Sequence, residues 1–402
     1  MLYLLDSVIF LQLNICIFPM NPYTYIEYAL QSIIAESIPY EVEYWHFVNE
    51  PRWDPTTEYD NIQRARLCGK TSFYDYKNKS WQTYTESNNT SHNRGFERIL
   101  SHVIDHSFEP VLSELDKEFW HFDYFHNRAY PWKECKHYNG YQDFPMYVLH
   151  SEQSSKDIKQ LKSWGYKPVY WFSHALLCSA YYFKPYEHLE LVKNYLARPL
   201  LSPWICANRL TRKHRTDFLE LIDVSLGEYS LLNPDPIGVE YTGPVPARSF
   251  DDHSNSSAEI NITNLTPWNT SFLHVVNETV WQDKIHFTEK IFKPIVMHQP
   301  FVVLQAPGSL EYLKGYGFRT FADWWDESYD TIEDPQQRMQ AVADIVNWIT
   351  TQDINKMRDS MKDVLEYNYA HFYNNIPNIV LDELRINLQN AVSAPLADAV
   401  AV

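Results

Sequence analysis

The second half of the chain alternates. Short apolar runs near 203–207, 271–276 and 300–304 are separated by segments with helical spacing at 214–226, 288–298 and 309–314. Strand and helix in this rhythm predict a parallel sheet with helices on both faces, because parallel neighbours need a crossover and a helix usually supplies it. The pattern also sends the loops that leave the strands to one edge of the sheet, where open α/β sheets hold ligands. Further on, Asp334-Pro335 followed by Gln337 is a helix start. Met339, Val342, Ile345, Val346 and Ile349 form an apolar stripe behind it.

The first half is less regular. Residues 1–50 read as strand, helix, strand, with the helix starting at Asn21-Pro22 and the second strand over 41–48. The apolar run at 1–20 contains Asp6 and Asn14 and has no Lys or Arg before it, which fits a buried strand better than a targeting segment or anchor. No other segment is apolar enough to suggest an integral membrane span. Residues 50–95 are polar and read as a long surface excursion. The spacing over 97–115 predicts a helix up to Pro110. PMYVLHSEQ (145–153) reads as a strand that ends in a functional loop, and KPVYWFSHAL (167–176) as another strand. The prolines of ARPLLSPWICAN mark a change of pattern. They divide the chain into an N-terminal unit over 1–190, a second unit over 191–390 and a tail over 391–402.

The formal charge of −17 argues against coating nucleic acid. It also makes a local basic cluster informative. NRLTRKHR (208–215) places Arg209, Arg212, Lys213 and Arg215 where an expected strand gives way to a helix. Cations at a helix N-terminus oppose its dipole at a cost of a few tenths of a kcal/mol each, unless an anion such as a phosphate binds there. A solvated basic face paired with acids such as Glu220 is the alternative. HFTEKIFKPIVMHQPFVVL (286–304) repeats the arrangement: Thr288 can cap a helix whose first turn carries Glu289 and Lys290, and Pro294 keeps that helix short or kinked. A carboxylate suits ribose hydroxyls and an ammonium suits phosphate. The two turns together point to a sugar-bearing diphosphate, with side chains doing what a Gly-rich loop does elsewhere. Neither GxxxxGK[ST] nor GxGxxG occurs.

HRTDFLELI (214–222), VVNET (275–279) and FTEKIFKPIVMHQPFVVL (287–304) resemble, in order and spacing, the donor-binding half of family 10 glycosyltransferases, the α-1,3-fucosyltransferase group. The likeness covers roughly 145–350 and is similar to a divergent branch found in phage and environmental sequences. It implies a GT-B fold, an α/β architecture of two Rossmann-like domains facing a cleft. It implies metal-independent transfer with inversion from a nucleotide-sugar, with a GDP-sugar carrying fucose or a related sugar as the donor, and no further cofactor. It places the diphosphate-binding Arg on Arg215, the Glu and Lys on Glu289 and Lys290, and a polar strand-end residue on Asn277 or Glu278. It places the general base on Glu152, followed by Gln153. His150 is the competing base. Thr288, Arg209 and Arg212 join the expected donor site.

This chain departs from the family by having Phe287 and His286 before Thr288, the Lys293-Pro294 pair and the polar stretch at 50–95. Five cysteines without a CxxC pair argue against a disulfide framework or structural zinc, hence a reducing, cytoplasmic setting, that of the host if the chain is phage-encoded. Asp251-Asp252-His253 sits in a polar loop and reads as a solvated turn rather than a metal site. Expected partners are the nucleotide-sugar and a glycan or other hydroxyl acceptor, with no nucleic acid. A non-catalytic carbohydrate-binding or virion-associated protein is the competing class, since 16% aromatic residues could supply stacking platforms.

Overall fold

The structure, a computed structural model, describes residues 40–45, 70–75, 80–84, 98–103, 120–123, 128–131, 146–163, 167–235, 238–249 and 265–393. The expectations for residues 1–39, for Asp251-Asp252-His253 and for residues 394–402 lie outside these.

The first sheet contains β1 (Tyr40–Trp45), β2 (Lys70–Asp75), β3 (Ser80–Tyr84), β4 (Arg98–Val103), β7 (Met146–His150) and β8 (Lys167–Tyr170), in the order β3-β2-β1-β4-β7-β8. Its pairings are parallel except for the β2–β3 hairpin. A separate hairpin joins β5 (Trp120–Asp123) to β6 (Arg128–Pro131). β1 and β7 fall where strands were expected.

Three expectations are corrected here. The polar stretch at 50–95 is not all excursion, because β2 and β3 lie within it. KTSFYD and SWQTY are rich in Thr, Tyr, Phe and Trp, which favour strands even in a polar context. Within 97–115, where a helix was expected, residues 98–103 form a strand, and the rest lies outside the described residues. Ile99, Leu100 and Val103 fit either period over so short a stretch, and pairing with β1 and β7 on its two sides decides the outcome. The strand expected over 167–176 stops at Tyr170, and helix α2 (Ser173–Leu177) follows.

The second sheet is wholly parallel, ordered β10-β9-β11-β12, from β9 (Ser202–Cys206), β10 (Glu228–Tyr229), β11 (Ser271–Asn277) and β12 (Phe301–Leu304). Every residue of β11 and β12 is buried, as expected of parallel strands covered on both faces, and this is why FVVL and most of β11 are apolar. The chain passes from β9 to β10 on one side and then returns to β11 on the other. The strand order therefore reverses between β9 and β11, which opens a crevice at their carboxyl ends.

The connecting helices are α3 (Lys213–Glu220), α4 (Phe292–Val296) and α5 (Ser309–Gly315). Pro294 does sit in a short helix. Gly308, with φ of 82°, makes the turn into α5. Helix α6 (Pro335–Ile349) starts as expected: the Asp334 carboxylate accepts the Gln337 N–H at 2.8 Å, a cap worth about 1 kcal/mol. Its apolar stripe is buried throughout, each side chain contributing roughly 1.5–3 kcal/mol.

After α7 (Lys362–Asn374), α8 (Ile376–Ser393), the last helix among the described residues, crosses back to the first sheet. Asn387 donates to the Tyr170 carbonyl at 2.8 Å. The Glu383 carboxylate accepts the Phe172 N–H at 2.8 Å and the Tyr316 hydroxyl at 2.6 Å. Helix α8 runs to Ser393, three residues into the stretch over 391–402 read as a tail. Among the described residues, no helix is long and apolar enough to cross a membrane.

Candidate functional site

The loop leaving β9 is fixed by short-range polar contacts. The Asn208 N–H donates to Ser230 Oγ at 2.9 Å, and that hydroxyl donates back to the Asn208 carbonyl at 2.9 Å. The Thr211 N–H donates to Asp235 Oδ2 at 2.9 Å. These contacts aim the start of α3 at the end of β11. There, three successive carbonyls accept from three residues of the basic segment. Arg215 Nη2 reaches Asn277 O at 3.4 Å, His214 Nε2 reaches Glu278 O at 3.0 Å, and Arg212 Nη1 reaches Thr279 O at 3.0 Å.

Burial pushes the His214 imidazole down to about 3, and the charge of Arg215 adds to this. At neutral pH it is an uncharged Nε2–H donor. Burial, then Arg212, lowers Arg215 to about 10, with Glu278 and Glu289 among the groups opposing the shift, so it stays a cation at neutral pH.

The second turn meets the first at Glu278, whose residue is 0% exposed. Its carboxylate accepts the Thr288 N–H at 3.2 Å and the Thr288 hydroxyl at 2.7 Å. Thr288 was expected to cap the next helix with its side chain. It stands at the cap position of the turn Glu289–Ile291 but makes no side-chain cap bond, because its hydroxyl is committed to Glu278. Lys290 Nζ donates to Thr288 Oγ1 at 2.8 Å and lies 3.1 Å from Glu289 and 3.8 Å from Glu278. Arg212, Arg215 and Lys290 are thus gathered with Glu278 and Glu289 at the β9–β11 crevice, three cations against two carboxylates.

Other expected residues fall differently. Lys213 is 87% exposed and pairs with Asp217 at 2.7 Å, so it belongs to the outer face of α3. Arg209 is half-buried on the loop leaving β9. Asn277 is 2% exposed, and its side-chain oxygen and nitrogen have no hydrogen-bond partner of normal geometry; nor does Arg215 Nε. Polar atoms left so at a buried strand end are costly, by about 1–3 kcal/mol each, unless a bound group or water satisfies them. Phe287 is core, packed against Phe172 and Tyr312. Trp171, Trp204 and Trp268 are also buried, so these rings serve packing rather than ligand stacking.

Glu152 emerges from β7 into a contact that the sequence did not announce. Ser151, Glu152 and Gln153 face Lys284, Ile285 and His286. Gln153 and Ile285 exchange backbone hydrogen bonds at 2.9 and 3.0 Å. Ser151 Oγ lies 3.3 Å from His286 Nδ1. Lys284 Nζ donates to Glu152 Oε1 at 3.2 Å, with both side chains nearly sealed from solvent at 4% and 1% exposure. His150, the competing base, accepts the Glu152 N–H at Nδ1, at 3.3 Å. Burial, helped by Lys162, holds it down to about 3, which makes it a weak base.

Sequence reasoning missed Lys284 and His214. The first is a lone Lys in a loop with no periodic signal. The second adjoins Arg215 and was passed over for its charged neighbours.

No protein-family model matches the chain, and no curated protein sequence matches it. Among solved structures, one titled as the crystal structure of an alpha1,3-fucosyltransferase is similar over 93% of this chain and 96% of its own, with 10% identity and a TM-score of 0.36. A likeness at that level carries no weight beside the geometry.

Proposed function

We propose that the chain is an inverting glycosyltransferase that moves a sugar from a nucleoside diphosphate to an acceptor hydroxyl without a metal. The observation that supports it is the meeting of Arg212, Arg215 and Lys290, from two different strand-to-helix connections, around Glu278 at the crevice between β9 and β11. A net positive cluster in a chain of charge −17 suits an anionic ligand. Side-chain cations here take the part that a divalent ion plays on other diphosphates.

The acceptor hydroxyl gives its proton to Glu152 as its oxygen bonds to the anomeric carbon. The bond from that carbon to the diphosphate oxygen breaks on the opposite face, and the electron pair leaves with the nucleotide. Arg215 and Lys290 stabilise the charge that grows there. Glu289 holds the ribose. Glu152 is only 3% exposed in this structure, so the acceptor reaches it by displacing neighbouring side chains while Gln153 and Ile285 stay paired. The proposed donor is a GDP-sugar, fucose or a relative, on the strength of the resemblance of 214–222 and 287–304 to family 10 enzymes. The two units, 1–190 and 191–390, supply the acceptor and donor sides.

A thermal-shift screen of nucleoside diphosphates and nucleotide-sugars, with magnesium and with chelator, tests this proposal. Guanosine diphosphate and its sugars should raise the melting temperature equally in both. If no nucleotide raises it, the donor site is lost as an idea. If stabilisation requires the metal, the metal-free scheme is.

A further inference from the structure

We propose that Lys284 is the positioning residue for the base at Glu152. This rests on the transferase reading above and adds a residue to it. A carboxylate taken out of water favours its protonated form, and a protonated carboxyl cannot accept a proton. Glu152 is buried, yet Lys284 lies at 3.2 Å with its own side chain just as buried. The ammonium therefore keeps the carboxylate ionised where burial alone would neutralise it. It also keeps it in place, because Lys284 adjoins Ile285, whose backbone pairs with Gln153 on both sides.

The other titratable groups around the pair do not replace it. His150, on the exit of β7, is held neutral by burial and spends Nδ1 on the Glu152 N–H. His286, on the facing segment, lies against Ser151, and His174 of α2 packs edge-on against the His286 ring at 5.4 Å. Lys162, of helix α1 (Lys156–Ser163), acts on His150. Among the described residues, Lys284 is a cation in direct contact with Glu152.

Position along the chain gives the pair a second consequence. Lys284 stands four residues before Thr288, whose backbone and hydroxyl bond Glu278 in the cation cluster. One short segment thus carries the partner of the base at one end and the donor turn at the other, which fixes the distance between the two.

The test uses the full chain with three variants: Lys284→Met, Lys284→Arg and Lys284→Met combined with Glu152→Gln. Two measurements are made on each. The first is unfolding in urea from about pH 5 to pH 8, which needs no substrate. In Lys284→Met the folded Glu152 has a raised pKa, so its contribution to stability is present at low pH and lost as pH rises through that raised value. Relative to the double variant, its unfolding constant should increase by up to about tenfold per pH unit. The second is sugar transfer against pH. Lys284→Met should lose about tenfold or more near pH 6 and recover as pH rises, while Lys284→Arg keeps the wild-type profile.

Parallel stability curves for Lys284→Met and the double variant would overturn the proposal. So would a Lys284→Met transfer profile that superposes on the wild type. If Lys284→Met does not fold and the double variant does, the charge coupling is supported. Lys284→Arg then decides the positioning role: a wild-type acid limb supports it, and a loss as deep as that of the double variant ends it. Failure of the transferase reading looks different. No nucleoside diphosphate would then stabilise the wild type and no transfer would be seen, while the urea curves would still report the ion pair, leaving Lys284 a structural partner only.

Discussion

Lys290→Ala removes one ammonium from the cluster around Glu278. That side chain is 20% exposed, 3.1 Å from Glu289 and 3.8 Å from Glu278. Two effects separate. In the free protein Glu278 keeps both bonds from Thr288 and the nearby charge of Arg215, so stability falls by only about 1 kcal/mol. For a bound diphosphate, a charge-assisted contact of roughly 1.5–3 kcal/mol disappears, and the two carboxylates left behind repel the anion. At about 1.4 kcal/mol per decade, Kd for a nucleoside diphosphate rises by about ten- to a hundredfold. Lys213→Ala is the matched control. It changes net charge equally, but Lys213 is 87% exposed and paired with Asp217, so Kd should move by less than about twofold. Calorimetric titration of guanosine diphosphate into both variants reads the difference. Equal weakening in the two would reduce the site to a net-charge effect, and an unchanged Kd in Lys290→Ala would remove Lys290 from the donor site.

Glu152→Gln should keep nucleotide affinity and lose turnover by about a hundredfold or more; full activity would dismiss Glu152 as base. His150, His214 and His298 are each lowered from 6.5 to about 3, first of all by burial. The unfolded chain then binds more protons below 6.5, so stability is full above that pH and is lost as pH falls toward 3, by about 1.4 kcal/mol per unit for each. His298→Phe, which keeps a ring between Tyr195 and Tyr369, should reduce that slope by one histidine's share, read from urea midpoints near pH 7.5 and pH 5.5; an unaltered slope contradicts the burial argument. Arg338 is 2% exposed and donates to the carbonyls of Gln305, Ile332 and Trp281. Arg338→Met should cost about 3–5 kcal/mol by leaving those acceptors bare, and Arg338→Lys should recover only part, since an ammonium lacks the fork.

The second sheet was legible because its strands are buried on both faces. Such strands are mostly apolar, and FL and VV of β11 and FVVL of β12 say so without reference to anything distant. The gathering of Arg212, Arg215, Glu289 and Lys290 was legible for a related reason: adjacent parallel strands deliver their exits to one edge. The first sheet was not legible to the same degree. Arg98–Val103 satisfies a helical and an extended period alike, and only its two neighbours choose between them. The Glu152–Lys284 pair joins residues 132 positions apart through two loops, where no periodicity exists to be read. Thr288 shows the remaining limit. Its residue type allowed a helix cap, but a carboxylate from another strand end took the hydroxyl.

Helix α8 has a consequence for how the chain is made. The Phe172 N–H, just beyond the edge strand β8, is bonded by a carboxylate 211 residues later. Synthesis delivers that edge 211 residues before the carboxylate that finishes it, which arrives with α8. A ribosome stalled before Ile376 would present β8 and the rings of Tyr170 and Tyr316 without their seal. Nascent chains of this protein should therefore engage chaperones until α8 emerges.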